Sequence, residues 1–392
     1  MSTGLVIGID AANLGSGGSR THLSEVLAAL DPYTHGIDRI IVWGAPDTLA
    51  MLPKDRPWLE QVAPPELNGG LLRRSLWQRL SLSAAARAAG CHILFVPGGS
   101  YAGDFHPVVT MSQNMLPFEA RELRRYGWSW HAIKFFLLRL SQSRTFRGAD
   151  GVIFLTEYAK RVVLRATAPL SGAVAVIPHG VSRRFCATPR RQEPIEAYSN
   201  VTPFRILYVS TVDHYKHQWH LVEAVALLHR RNRWPLALDL VGLANPRAKN
   251  RLDVTLQTVD PNGSWARYLG PAPYGELKHI YQGADVGVFA SSCENMPNII
   301  LEMMASGLPI ASSNCEPMPE ILGDSGVFFD PEDPVDIARS LQLLISAPDL
   351  RTQLAQRSYG ISKTFTWERC ARQTFNFIGE VYRKYGFLGS AS

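Results

Sequence analysis

Short apolar runs, each followed by a longer segment of helical periodicity, occur here in two successive series, and this constrains the fold more than any other feature. The first series reads GLVIGID (4–10), RIIVWG (39–44), HILFVPGG (92–99), PVVTMSQN (107–114), the head of GVIFLTEYAKRVV (151–163) and AVAVIPHGV (173–181). Between the runs lie helical patterns, one beginning near Thr21 with His22, Val26, Ala29 and Leu30 in step, another over 71–89. Apolar runs too short for helices, alternating with helical segments, predict parallel strands joined by crossover helices. Residues 186–203 (CATPRRQEPIEAYSNVTP) have no apolar period and three prolines, and read as a linker. The rhythm restarts with FRILYVST (204–211), LALDLVGL (236–243), ARYLG (266–270), ADVGVFASS (284–292), LPIASS (308–313) and GVFFD (326–330). Helices are expected through about 231 and over 274–283, 298–306, 334–346 and 349–359, with an amphipathic segment, 367–386, near the end. The expected architecture is α/β: two doubly wound, Rossmann-like parallel-sheet domains of similar size, facing across a cleft. They span 1–185 and 204–366, with 186–203 between them and a C-terminal helix, 367–392, packing back towards the N-terminal domain.

Composition excludes several alternatives. With 392 residues, 46% hydrophobic and 19% charged, the chain is not broadly disordered. It has no charge-free run of the roughly 18 apolar residues that a membrane span needs. The start MSTGLVIGID reads as a strand rather than a signal peptide. Five widely spaced cysteines (Cys91, Cys186, Cys293, Cys315, Cys370), with no C-x-x-C, argue against a disulfide scaffold or zinc ribbon, so a cytoplasmic location is expected. The net charge of +6 is uneven: residues 1–185 hold 20 basic against 13 acidic side chains, and residues 186–392 hold 20 against 21. Within 118–147 the cations are interleaved with aromatic and aliphatic side chains, the pattern of a helix lying on an anionic membrane surface. Arg121, Arg124, Arg125, Trp128, Trp130 and Lys134 are the candidate contacts. The alternative is a helix packed on the sheet with its arginines snorkelling outward. No nucleic-acid-binding motif accompanies the charge, so nucleic acid is not expected as a partner.

Doubly wound sheets bind ligands outside the carboxyl ends of their strands. Candidates at those ends are Gly17 and Gly18, Gln113 and Asn114, His179, Ser210 and Thr211, Gly242, Gly270 and Glu294. The densest signal is ASSCENMPNIILEMMASGLPI (290–310), in which seven residues separate Glu294 from Glu302 and a helix start falls at Asn295–Asn298. Free amides at a helix N-terminus favour anions or hydroxyl-rich ligands, and carboxylates accept paired hydroxyl hydrogen bonds. A phosphate-linked sugar fits both; a surface loop with two solvated glutamates is the plain alternative.

This run, with ARYLGPAPYGELKHIYQGADVGVFASS (266–292) before it, resembles the glycosyltransferase group 1 family, the retaining GT-B enzymes also called family 4. The resemblance is dense over 204–325 and looser in IPHGV (177–181) and LGSGGSRTHL (14–23). It implies a donor site in which Glu302 binds the nucleotide ribose. Glu294 and the stretch Asn295, Met296, Pro297, Asn298 and Ile299 would bind sugar hydroxyls and the distal phosphate, with Ser210, Thr211 and Gly242 beside them. Lys216, in YVSTVDHYKHQ, matches the lysine that neutralises the diphosphate, and Lys216 and Glu294 are the implied catalytic pair. The loop at Gly17 and Gly18 would close over diphosphate and acceptor; its text does not fit G-x-G-x-x-G, and a tight strand–helix turn is the simpler reading.

Two departures from the family stand out. Ser210 and Thr211 occupy the place of an arginine, leaving Arg183, Arg184 or backbone amides to help hold the diphosphate. Gln113 and Asn114 stand where many relatives have a histidine, so they and His179 are assigned to the acceptor or sugar side without a named general base. No D-x-D, clustered His/Cys set or H-E-x-x-H occurs, and neither a metal nor a cofactor is expected. The resemblance thus implies a retaining hexosyltransferase using a nucleotide-diphosphate sugar, leaning towards GDP-mannose. The acceptor would be a lipid-linked oligosaccharide or polysaccharide of bacterial surface-polysaccharide (lipopolysaccharide, O-antigen) synthesis, reached from the cytoplasm as a peripheral membrane protein. A GT-B-like protein that binds nucleotide sugar or glycan without transfer is the other reading.

Overall fold

The computed structural model describes residues 4–14, 17–125, 127 and 130–386. The chain divides into two compact units at Gly180/Val181 and again at Phe365/Thr366. The first carries β1 (Leu5–Ala11), β2 (Ile37–Gly44), β3 (Leu59–Val62), β4 (Ile93–Val96), β5 (Val108–Met111), β6 (Gly151–Phe154) and β7 (Ala173–Val176). They pair in parallel in the order β3-β2-β1-β4-β5-β6-β7. β4, β5 and β6 are buried throughout, as central parallel strands covered on both faces must be, which explains their unbroken apolar text. Three of its helices matter below: α1 (Gly18–Ala28), α2 (Leu71–Leu80) and α3 (Trp130–Gly148). The helix Trp367–Tyr385 belongs to the same unit and buries Phe377, Ile378 and Val381.

The second unit carries β8 (Phe204–Val209), β9 (Leu236–Val241), β10 (Ala266–Gly270), β11 (Val286–Phe289), β12 (Ile310–Ser313) and β13 (Gly326–Phe329), in the parallel order β10-β9-β8-β11-β12-β13. Its helices α4 (Gln218–Asn232) and α5 (Asn298–Ala305) follow β8 and β11. In each sheet the strand order reverses once, between β1 and β4 and between β8 and β11. The loops after those strands flank the crevice where a ligand of such a sheet binds. Among the described residues, no helix is long and apolar enough to cross a membrane.

Three readings need correction. Residues 186–203 are not a free linker but part of the second unit. Arg190 pairs with the Asp285 carboxylate at 2.6 Å, Tyr198 donates to the same carboxylate at 2.7 Å, and Gln192 accepts from buried Arg351. Their polar text is spent on a buried carboxylate and a buried guanidinium. β3, of sequence LEQV, was missed because an edge strand with Glu60 and Gln61 exposed carries no apolar run. The helix Pro246–Val259 was also missed, although Asn245 accepts from the Arg247 amide and Pro246 occupies the first turn, a capping signature.

Candidate functional site

The loops after β8 and β11 are laced together. The Tyr215 carbonyl accepts from the Ser292 amide at 2.8 Å, and His217 Nε2 meets Ser292 Oγ at 2.9 Å from a left-handed backbone (φ 51°). This lacing brings Lys216, in the turn His214–Lys216, onto Glu294. The two form an ion pair, and Ser291 Oγ donates to the same Glu294 oxygen at 2.6 Å. Lys216 is only 6% exposed, and its ammonium lies 5.0 Å from the ring centres of both Tyr215 and Phe289. A buried cation of this kind is held in place by its carboxylate partner.

Four residues beyond Glu294, α5 begins. Pro297 stands at its N-cap, no side chain caps it, and no acid lies in its first turn. Its amides therefore present partial positive charge at the crevice. Asn295 and Met296 are buried beside the crevice, and the buried Asn298 Oδ1 has no protein partner. One turn into α5, Glu302 is nearly buried and accepts from the Tyr281 hydroxyl at 2.8 Å. Burial pushes its carboxyl up to about 7, against the opposing pulls of Tyr281, Arg184 and Tyr274.

Gly242 directly follows β9 with φ +146°, and a Cβ there would stand 2.1 Å from the Ser210 carbonyl oxygen. Its requirement for glycine comes from the approach of two strand ends. Ser210 is buried at the end of β8 and Thr211 is exposed. Of the cations considered as a substitute for the missing arginine, Arg184 is placed near Glu302. It lies 4.8 Å above the Tyr274 ring, and its charge acts on Glu302. Tyr274, Tyr281, Ser291 and His217 were not singled out from sequence. Only their packing against the two glutamates and the lysine loop marks them.

The first unit's candidates are more scattered. Gly17 has φ +92° and caps α1, which starts at Gly18 rather than near Thr21. His179 is buried, with its Nδ1 2.8 Å from that of His22 on α1 and its ring against Trp367. Burial lowers His22 to about 4 and holds His179 well below the usual histidine range, so both are neutral at pH 7 and one ring donates to the other. Asn114 Oδ1 accepts from the Leu116 amide at 3.1 Å, a local turn, and Gln113 Nε2 lies 3.2 Å from Met111 Sδ. In the basic segment, Arg121, Arg124, Trp130 and Lys134 are exposed. Arg125 is bound to the buried Glu122 carboxylate at 2.7 Å and is half-buried. Trp128 lies outside the described residues. Among the described residues, no three His, Cys, Asp or Glu side chains are grouped to hold a metal ion.

A family model described as glycosyl transferases group 1 matches residues 190–360. Over 172 residues the chain is 32% identical to the O-antigen chain mannosyltransferase B of Escherichia coli, covering 43% of this chain and 44% of that one. It is 26% identical over 252 residues to the D-inositol 3-phosphate glycosyltransferase of Corynebacterium jeikeium (strain K411), covering 62% and 60%. The chain thus spans about half the length of the curated relatives it matches. Its fold is similar to that of Anabaena Alr3699/HepE in complex with UDP and glucose, with a TM-score of 0.69, 17% identity, and coverage of 94% and 98%.

Proposed function

We propose that this chain, whose residues 190–360 match the group 1 glycosyltransferase model and whose two Rossmann-like units have the GT-B fold, is a member of that family and transfers a hexosyl group from a nucleoside-diphosphate sugar with retention of anomeric configuration. The observation that carries this reading is the buried Lys216–Glu294 pair, drawn from two different loops to the strand-order reversal and set before the uncapped first turn of α5. Breaking the bond between the anomeric carbon and the diphosphate oxygen places growing negative charge on the leaving group. A fixed ammonium and a helix N-terminus stabilise that charge more in the transition state than in the bound donor. Glu294 positions Lys216 and accepts from sugar hydroxyls, and Glu302 accepts from the ribose. The leaving phosphate oxygen takes the acceptor's proton on the face it departs from. The step therefore uses neither a protein base nor a metal.

The same reading gives the acceptor to the first unit, as a lipid-linked oligosaccharide or polysaccharide of bacterial surface-polysaccharide synthesis, met at the cytoplasmic face of the membrane. The match to an O-antigen mannosyltransferase supports GDP-mannose as the first donor to try, and the similarly folded Alr3699/HepE, in complex with UDP and glucose, makes UDP-glucose the comparison.

Purified protein with EDTA, a panel of labelled nucleotide sugars and a lipid-linked acceptor fraction should give transfer from one donor, with the donor's anomeric configuration kept in the product. Lys216→Ala and Glu294→Ala should each lower the rate by about 10²–10³-fold. Wild-type rates in both variants would refute the site. Nucleotide binding without transfer or donor hydrolysis would make the chain a non-catalytic binder.

A further inference from the structure

Two helices of the first unit, far apart in sequence, expose the same kind of face. α2 turns Trp77 and Gln78 inward and leaves Leu72, Leu76 and Leu80 more than half exposed, at the i, i+4, i+8 spacing of one stripe. α3 exposes Trp130, Ile133, Leu137 and Leu140 to more than half, at alternating spacings of three and four. Neither helix contains an acidic residue, whereas α2 carries Arg73, Arg74 and Arg79 and α3 carries Lys134, Arg139, Arg144 and Arg147. Both are fastened to one short stretch of backbone after β4. Gln78 Nε2 donates to the Ser100 carbonyl at 2.8 Å, and the Tyr101 amide donates to Thr145 Oγ1 at 2.8 Å.

We propose that α2 and α3 together form a docking surface for an anionic lipid bilayer. Leucine and tryptophan faces rimmed by cations satisfy both demands of such a surface, apolar burial at the acyl boundary and attraction to anionic headgroups. A second copy of the chain does not complement this surface. A two-fold contact sets a patch against itself, so cations would meet cations, and neither helix supplies an acid to pair with them. The proposal rests on the acceptor-side reading only in that a lipid-linked acceptor brings the enzyme to a membrane. Binding is measured without donor or acceptor, so its failure leaves the transfer assay untouched.

The test is flotation of the full chain with vesicles of phosphatidylglycerol and phosphatidylcholine in equal parts, against phosphatidylcholine alone, at low and high salt. Binding should require phosphatidylglycerol and weaken with salt. Leu72→Glu/Leu76→Glu on α2 and Leu137→Glu/Leu140→Glu on α3 should each reduce it by roughly tenfold or more. All four positions are exposed, so circular dichroism and Tm should match wild type. Arg73→Gln/Arg79→Gln, which leaves the apolar stripe whole, should remove most of the preference for phosphatidylglycerol. The surface is overturned if the wild type stays unbound at low salt, or if the α2 pair binds as wild type does. It is also overturned if sedimentation shows a dimer that the leucine variants dissolve.

Discussion

Glu302 is the residue at which the cost of the site is most open to measurement. Burial lifts its carboxyl from an ordinary 4.5 to about 7, so the folded protein holds this proton more tightly than the unfolded chain does. The penalty is absent below pH 4.5, grows as pH rises towards 7 and is constant above that. Glu302→Gln should therefore raise unfolding free energy at pH 8 by about 1–3 kcal/mol and leave it unchanged at pH 4, as read by urea denaturation. Nucleotide affinity should move the opposite way. The ionised carboxylate is the better acceptor for ribose hydroxyls, so in the wild type Kd for the nucleoside diphosphate should rise as pH falls below 7. In the glutamine variant, binding should be weaker and flat across the same range. A variant that binds as wild type does at pH 8 would remove Glu302 from the donor site.

At the scale of elements, the site depends on strand ends that approach closely, and Gly242 tests this without touching any charge. A methyl there would meet the Ser210 carbonyl oxygen at 2.1 Å on a backbone with φ +146°. Gly242→Ala should cost about 2 kcal/mol or more in a denaturant melt and also weaken nucleotide binding, because the displaced strand end leads into the Lys216 turn. Loss of stability with unchanged binding would show that the loop tolerates the shift. Sequence exposed the elements unevenly, for physical reasons. Central strands such as β4 and β11 are buried on both faces and so announce themselves as apolar runs. β3 lies at the edge, and its pairing with β2 is a backbone property that its side chains do not record. Glu294, Glu302 and Lys216 stand out in the sequence through the resemblance of the text around them to the group 1 glycosyltransferase pattern, not through their spacing alone. Tyr281, Ser291 and His217 do not, since ordinary residue types became partners only through the lacing of two loops from different strands. Asn114 and His179 have local roles that the sequence does not show, one in a turn and the other in a buried histidine pair.

For the whole molecule, the charge asymmetry follows the structural division. The unit formed by residues 1–180 and 366–392 holds 22 basic against 15 acidic side chains, and the unit of residues 181–365 holds 18 against 19. Exposed cations act over about a Debye length and fade with salt, whereas a buried pair such as Lys216–Glu294 is screened far less. The two proposed ligands should therefore leave separate footprints. In hydrogen–deuterium exchange, a saturating nucleoside diphosphate should slow exchange over residues 210–218 and 292–303 and leave 71–80 and 130–148 unchanged, because binding stabilises the local structure it needs closed. Anionic vesicles should do the reverse. Raising the salt should erase the vesicle footprint and keep most of the nucleotide one, since Lys216, the ammonium proposed to hold the phosphates, is buried. Nucleotide protection confined to the loop between β1 and α1 would place the donor in the other unit, and the roles assigned to Lys216, Glu294 and Glu302 would go with it.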